Sequence, residues 1–287
     1  MSSMSSVSSS RLERRAPRGG GPVGHPGSRS PWRRAASWTW TWRLLTLLVV
    51  AAIWQGYSTA AGSLLIPTMT DTVKATVDLL TSSEVYRAFL VSNQALAIGF
   101  VISVLAGIPI GLGSARYPLV ERILDPYISI LIVTPMAALI PILLMALGLG
   151  LPSRVVLVVV FSIPMVVVNS RAGVRQVDTA LIEMSRSFGA SEREIWRRIL
   201  LPGALPAVMT GIRLALGRAI TGMVIVELLM VSVGIGNLIL RFRGFFESGS
   251  LYATVILVVF EALVLVSAVR WLELRVAPWA QVARLAE

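Results

Sequence analysis

The chain has 287 residues, of which 55% are hydrophobic and 14% charged, with a formal net charge of +11. Water-soluble domains carry about a quarter charged residues, so this composition excludes an ordinary soluble globule and points to a membrane-embedded bundle with a basic tail. With no cysteine and one histidine, His25, disulfides, thiolate metal sites and cysteine nucleophiles are excluded and imidazole chemistry has almost nothing to work with.

Residues 1–43 hold eight arginines, one acid (Glu13) and many Ser, Gly and Pro. Such a segment cannot bury enough apolar surface to offset the entropy of ordering. Residues 1–41 are therefore expected to form a disordered basic cytoplasmic tail, with His25 solvated inside it. The pairs Arg14-Arg15 and Arg33-Arg34 raise the question of a twin-arginine export signal. The apolar run from Leu44 is too long for one and lacks a small-residue cleavage site, so an uncleaved membrane helix is the better reading. Beyond charge, nothing in the tail supports nucleic-acid binding.

Charge-poor intervals divide the rest, and each must supply about 20 residues to cross ~30 Å of hydrocarbon as a helix. Six are predicted. The first covers about residues 42–61, with Trp38, Trp40, Trp42 and Trp54 as interfacial anchors. The next three lie between Arg87 and Arg116, between Asp125 and Arg154, and between Arg154 and Arg171. The fifth covers about 207–231 and the sixth about 252–271, each interrupted by one acid, Glu227 and Glu261. These runs lack the alternation of a barrel strand, so the expected fold is all-α, a six-helix polytopic membrane domain over residues 42–287. On the second span, Gly107, Gly111 and Gly113 permit close helix approach beside a Pro109 kink, read as packing within one chain rather than a dimer seam.

Orientation follows from the basic residues of the loops. With the tail inside, internal segments hold 19 Arg and the external ones hold 5 basic residues, namely Lys74, Arg87, Arg154, Arg241 and Arg243. Arg213 and Arg218 are left out of that count, being placed near the inner end of the fifth span. Both termini are thus expected in the cytoplasm.

Residues 170–206, between the fourth and fifth spans, form a long polar insertion. Asp178 can cap a helix in which Leu181, Met184 and Phe188 fall at i, i+3 and i+7 as one apolar stripe, and Gly189 can end it. Ser191 and Glu194 then read as the S-x-x-E capping box of a second helix, with Ile195 and Ile199 on one face, stopping near Leu201-Pro202. The result is an elbow whose apolar face needs a partner, either the lipid interface or another protein.

At these residues the chain resembles a known family. Glu183-Met184-Ser185, Gly189, Ile199 and Leu201-Pro202, spread over twenty positions, are similar to the "EAA" signature of binding-protein-dependent ATP-binding-cassette (ABC) importer permeases. Met184 departs from it, since two small residues usually follow the acid. Pro135-Met136-Ala137-Ala138-Leu139-Ile140-Pro141 with Gly148 and Gly150, then Asn169, Gly173, Asp178 and Leu181, resemble the nitrate, sulfonate, taurine and bicarbonate subfamily. So does Val226-Glu227-Leu228 with Gly234-Ile235-Gly236, whereas Ser92-Asn93-Gln94 stands where a basic residue is common. The likeness covers about residues 85–270.

The resemblance implies a type I ABC importer permease fold, in a multi-pass subunit of a bacterial plasma membrane. Its cytoplasmic coupling helix, comprising Leu181, Glu183, Met184, Ser185, Phe188, Gly189, Ala190 and Ser191, would lodge in a separate ATPase. It implies a homodimer with two ATPase subunits and one extracytoplasmic solute-binding protein, and as solute a small anion or, alternatively, a thiamine-precursor pyrimidine or other small aromatic. ATP and magnesium would be held by the partner, leaving this chain without a cofactor and without enzymatic activity. The residues agree: there is no G-x-x-x-x-G-K-[ST], and Lys74 is the only lysine.

Asn93, Gln94 and Thr134 fit either interhelical hydrogen bonding or solute contact, and Asn93, Thr134 and Glu227 are the residues expected along the pathway. Glu227 reads equally as a lining group or as a structural one ordering the Gly234-Ile235-Gly236 turn. For Glu261 the choices are protonation, pairing with Arg270 or Asn169, or a subunit contact. Two competing classes remain at this stage: an ATPase-independent channel or ion-coupled carrier using Glu227 and Glu261, and a non-transporting scaffold.

Overall fold

The computed structural model describes residues 32–230 and 233–278, so most of the expected basic tail, His25 included, lies outside the described residues. All regular elements among the described residues are helical. The chain divides into two compact units, Met1–Ile53 and Trp54–Glu287, and the division falls within the first helix.

Helix α1 (Trp32–Ala61) begins about ten residues before the expected tail boundary. Its apolar residues are spread around the whole circumference, the pattern of a helix solvated by lipid.

The second unit begins with the last two turns of α1. Trp54 donates from its indole nitrogen to the Pro67 carbonyl at 3.1 Å, and the Ser58 hydroxyl donates to the Ile66 carbonyl at 2.7 Å. These bonds fold the following loop back on the helix end. Trp54, expected as a lipid anchor, thus holds protein backbone. An unforeseen amphipathic helix follows, α2 (Met69–Thr81), whose first turn is capped by Thr68 accepting from the Asp71 amide.

The core consists of α3 (Ser83–Arg116), α6 (Leu151–Arg175) and α9 (Leu201–Met230), with α6 packed against both others. Small residues explain the closeness of α3 to α6. A Cβ added at Gly99, Gly107 or Gly111 would lie 2.6–2.8 Å from Val158, Val166 or Ser170 of α6. Between them, Ser162 donates to Ser103 across the same seam at 2.7 Å. Lipid gives helices no hydrophobic reason to associate, so tight backbone approach and such hydrogen bonds must provide it. The expected intra-chain packing of Gly107 and Gly111 is therefore observed, while Gly113 meets nothing within 4 Å.

The third predicted span is broken. Helix α4 (Pro118–Val133) ends at Thr134, a 3₁₀ turn spans Met136–Ala138, and α5 (Leu139–Leu147) follows. Pro135 has no amide hydrogen to donate and forces its predecessor into extended backbone; Thr134 has φ −63°, ψ 131°. Neither piece alone crosses ~30 Å, since α4 has 16 residues and α5 has 9. Among the described residues, five helical stretches are individually long and apolar enough to span, Thr41–Ala61, Ser83–Arg116, Leu151–Arg175, Glu192–Leu229 and Ser248–Val276, so single helices do not give the six predicted spans.

Beyond α6 lie the short helices α7 (Thr179–Ser187) and α8 (Glu192–Ile195). A π turn over Trp196–Leu200 leads from α8 into α9. Past α9, an unforeseen α10 (Gly234–Gly244) precedes α11 (Ser248–Val276). Leu79, Val85, Leu238, Phe242 and Ala253 form the small core that joins α2, α3, α10 and α11.

Candidate functional site

The elbow is built by local signals. The Asp178 carboxylate accepts from the Ala180 amide at 2.8 Å and starts α7; Gly189, at φ 78°, ends it in the left-handed conformation. Ser191 and Glu194 form the expected reciprocal box: the Glu194 amide donates to the Ser191 hydroxyl, and the Ser191 amide to the Glu194 carboxylate at 3.0 Å.

The second arm does not stop at Leu201-Pro202 as the sequence suggests. The Leu201 amide reaches back five residues to the Trp196 carbonyl, a π bulge. Widening the helix there relieves the clash a proline ring makes with the preceding turn, so the arm runs unbroken into α9.

The elbow has two faces. Inward, Ile182, Ala190 and Ile195 pack with Val174, Leu200 and Ala204 in a buried cluster, Ile195 being 1% exposed. Outward, Leu181, Met184 and Phe188 stand 46%, 50% and 84% exposed. Glu183 is exposed beside them, and Ser185 lines a groove of ≈ 360 Å³ with Phe188, Gly189, Ala190, Ile195 and Arg198. All eight residues predicted for this arm therefore lie on one short bend.

Ion pairs hold the bend to the bundle. Glu192 bonds Arg116, at the end of α3, at 3.1 Å and Arg186 of α7 at 2.9 Å. On the neighbouring helices, Arg171 reaches both Glu121 and Asp125, and Arg175 reaches Glu121. Arg213 of α9 pairs with Glu273 of α11 at 2.9 Å. The exposed pairs of Glu192 are weak singly, but with the partly buried ones they join α3, α4, α6, α7, α8, α9 and α11 at the elbow end.

At the opposite end the sequence expectation needs correction. Arg154, counted as a loop residue, sits inside the first turn of α6, 8% exposed, and its guanidinium lies 3.6 Å from Glu227. Glu227 is fully buried and accepts from the Ser92 hydroxyl at 2.7 Å and from the Gly236 amide at 3.1 Å. The Ile235 amide donates to Ser92 at 2.9 Å. Glu227, itself on α9, thus joins the start of α10 to α3 and α6.

The three expected pathway residues are not together. Asn93 lies between α3 and α11, where its amide donates to the Phe89 carbonyl and to Glu261. Glu261 is thereby paired with Asn93, not with Arg270 or Asn169. Asn169 instead donates to the Met165 carbonyl one turn back. Thr134, at the break between α4 and α5, lines a cavity of ≈ 340 Å³ with Phe161, Pro164, Arg218, Thr221 and Ile225. Glu227 and Asn93 do not line that cavity. Arg218, set aside in the loop count, does. The signal that could have found it is a charged residue in the middle of an apolar run, which marks a site by default.

These features define a class: an all-helical, multi-pass membrane transport subunit with a projecting elbow and a mid-span cavity. A family model described as "Binding-protein-dependent transport system inner membrane component" matches residues 107–278. The chain belongs to that family. It is 30% identical over 242 residues to SsuC of Bacillus subtilis (strain 168), assigned by name to aliphatic sulfonates transport as a permease, covering 84% of this chain and 88% of that one. It is 26% identical over 260 residues to the taurine transport system permease protein TauC of Escherichia coli (strain K12), covering 88% and 94%. Among solved structures, a chain from inward-facing conformations of the MetNI methionine ABC transporter aligns with a TM-score of 0.53 at 20% identity, covering 67% of this chain and 94% of that one. The last likeness concerns the fold alone. The chain is thus a transport subunit of an ABC importer and not an enzyme.

Proposed function

We propose that this permease forms the membrane pathway of an importer for a small anion, an organosulfonate first among them, and that its elbow is the seat of a separate ATPase. The observation that carries this reading is the exposed Leu181–Met184–Phe188 stripe on an arm whose other face is locked into the bundle. An apolar stripe anchors a partner, and a locked arm transmits its displacement instead of melting. Because the second arm is continuous with α9, motion of the elbow is carried into the membrane without a hinge.

The finer assignments follow the same reading. The elbow end is cytoplasmic, together with both termini, on the basic-residue bias. Helices α4 and α5 act together as the third of six spans. Two copies enclose one pathway, two ATPase subunits bind ATP and magnesium, and an extracytoplasmic protein delivers the solute. The sulfonate class rests on the names of the two relatives that align over most of their length. Nitrate and bicarbonate are the other anions of the subfamily the sequence resembles.

Because the chain contains no cysteine, a single Ser185→Cys variant gives a clean accessibility test. An impermeant maleimide should label it only in inside-out vesicles, and purified wild-type protein should retain a cassette ATPase that Phe188→Asp releases. Labelling from the outside of intact cells, or ATPase-free liposomes that move solute at the full rate, would refute the assignment.

A further inference from the structure

We propose that Arg218 is an anion-recognition residue of the membrane pathway, holding the oxyanion head of the solute beside Thr134 at mid-span. This rests on the importer reading above and names the part of the cavity that selects for charge.

The position is costly. Along α9, Arg218 lies about 18 Å from Met230 and about 8 Å beyond the ion-paired Arg213, in an apolar run that no other charge interrupts before Glu227. Such a cation needs a partner or a function. The other arginines of α6 and α9 have partners: Arg154 has Glu227, Arg171 has Glu121 and Asp125, Arg175 has Glu121, and Arg213 has Glu273. Arg218 makes no hydrogen bond or ion pair with any described residue, and its side chain is exposed to the cavity.

The cavity's own chemistry names the missing partner. No carboxylate lines it, so its formal charge is that of Arg218 alone. The Thr134 hydroxyl is half-buried and makes no bond within the described chain, which leaves its proton for a ligand. Thr221, by contrast, already donates to the Gly217 carbonyl at 2.9 Å. The remaining walls include Phe161, Pro164 and Ile225, which strip water from whatever enters and strengthen a charge-assisted bond. A forked guanidinium matches two oxygens of a sulfonate or carboxylate head, and ≈ 340 Å³ is at the small end of ligand sites. A second copy of the chain is a poorer source of the counter-charge. The acids on its membrane helices are held within their own chain: Glu227 by Ser92 and Arg154, Glu273 by Arg213, and Glu261 through one oxygen by Asn93, with its other oxygen buried.

The test uses the whole transporter, with its own ATPase and solute-binding protein, in liposomes, with radiolabelled taurine, ethanesulfonate and nitrate as probes. Arg218→Gln should cut the initial uptake of whichever of these the wild type imports by about tenfold or more. Retention of the ATPase and the binding protein should be unchanged. Arg218→Lys, keeping the charge and losing the fork, should fall between. Arg218→Gln uptake at the wild-type rate overturns the inference, as does a wild-type complex that hydrolyses ATP yet imports none of the three anions. A wild-type chain that retains no ATPase overturns the importer reading instead, and this inference with it.

Discussion

Replacing Glu227 by Gln removes a charge without changing shape, and the structure fixes what is left behind. Arg154 stays buried with its one carboxylate partner gone; its remaining bond is to the Val91 carbonyl at 3.3 Å, and its Nε already lacks a partner. The Ser92 hydroxyl and the Gly236 amide both donate to Glu227, so a Gln amide group turned toward either would oppose donor to donor. Breaking a buried pair on one side costs about 3–5 kcal/mol, mostly the penalty of the stranded charge. At about 2–4 °C per kcal/mol for a domain of this size, that corresponds to a melting temperature lowered by roughly 6–20 °C. Thermal unfolding in detergent, followed by tryptophan fluorescence, measures it. Adding Arg154→Met to Glu227→Gln should recover much of the loss, because the stranded charge goes too. If Glu227→Gln melts within a degree or two of wild type, the acid is neutral in the fold and the pairing with Arg154 is refuted.

Other substitutions test the same architecture. Gly234→Ala should be at least as damaging as Glu227→Gln: φ is +65°, and the new Cβ would strike Ser92 and lie 2.6 Å from a Glu227 oxygen, so melting should fall by a similar margin. Gly189→Ala, at φ +78° in open space, carries only the left-handed penalty of about 1–2 kcal/mol; it should loosen the elbow with little clash, read as faster proteolysis of the bend. Ser191→Ala removes one cap and should cost about 1 kcal/mol, with ATP hydrolysis less tightly tied to uptake. Glu192→Ala breaks two exposed pairs and should shift melting little, by under about 1 kcal/mol, while weakening coupling.

What the sequence showed and what it hid divide by range. The elbow was readable because each of its signals acts over a few residues: the Asp178 cap, the Gly189 stop and the Ser191–Glu194 box are all present. The same local reading failed at Leu201-Pro202, where a π turn absorbs the proline, and at Thr134-Pro135, where a proline inside an apolar run splits a predicted span. Helices α2 and α10 were hidden because their charges, Asp71, Lys74, Arg241 and Arg243, made short amphipathic helices look like loops. The buried polar bonds were hidden for a different reason. Ser92 and Glu227 are 135 residues apart and Asn93 and Glu261 168 apart, and no periodicity within either segment indicates the partner.

That division bears on how a stroke at the elbow would travel. Helices α3 and α6 are close-packed along their length through Gly99, Ser103, Gly107 and Gly111, and α9 packs against both. The three are tied at one end by Glu192, Arg116 and the cluster around Ile195, and at the other by Glu227 with Ser92 and Arg154. Closely packed helices welded at both ends move as a block, since packed interiors shift between discrete arrangements and do not stretch. A displacement delivered through Phe188 therefore cannot be spent by sliding α3 against α6. It must be taken up where packing is interrupted, and the interruption beside the cavity is the Thr134-Pro135 break between α4 and α5. Shortening that break should uncouple the transporter with little change in its melting. Deleting Met136 tests this: uptake should fall while ATP hydrolysis and thermal stability stay near wild type. Normal uptake by the deletion variant would place the moving joint elsewhere.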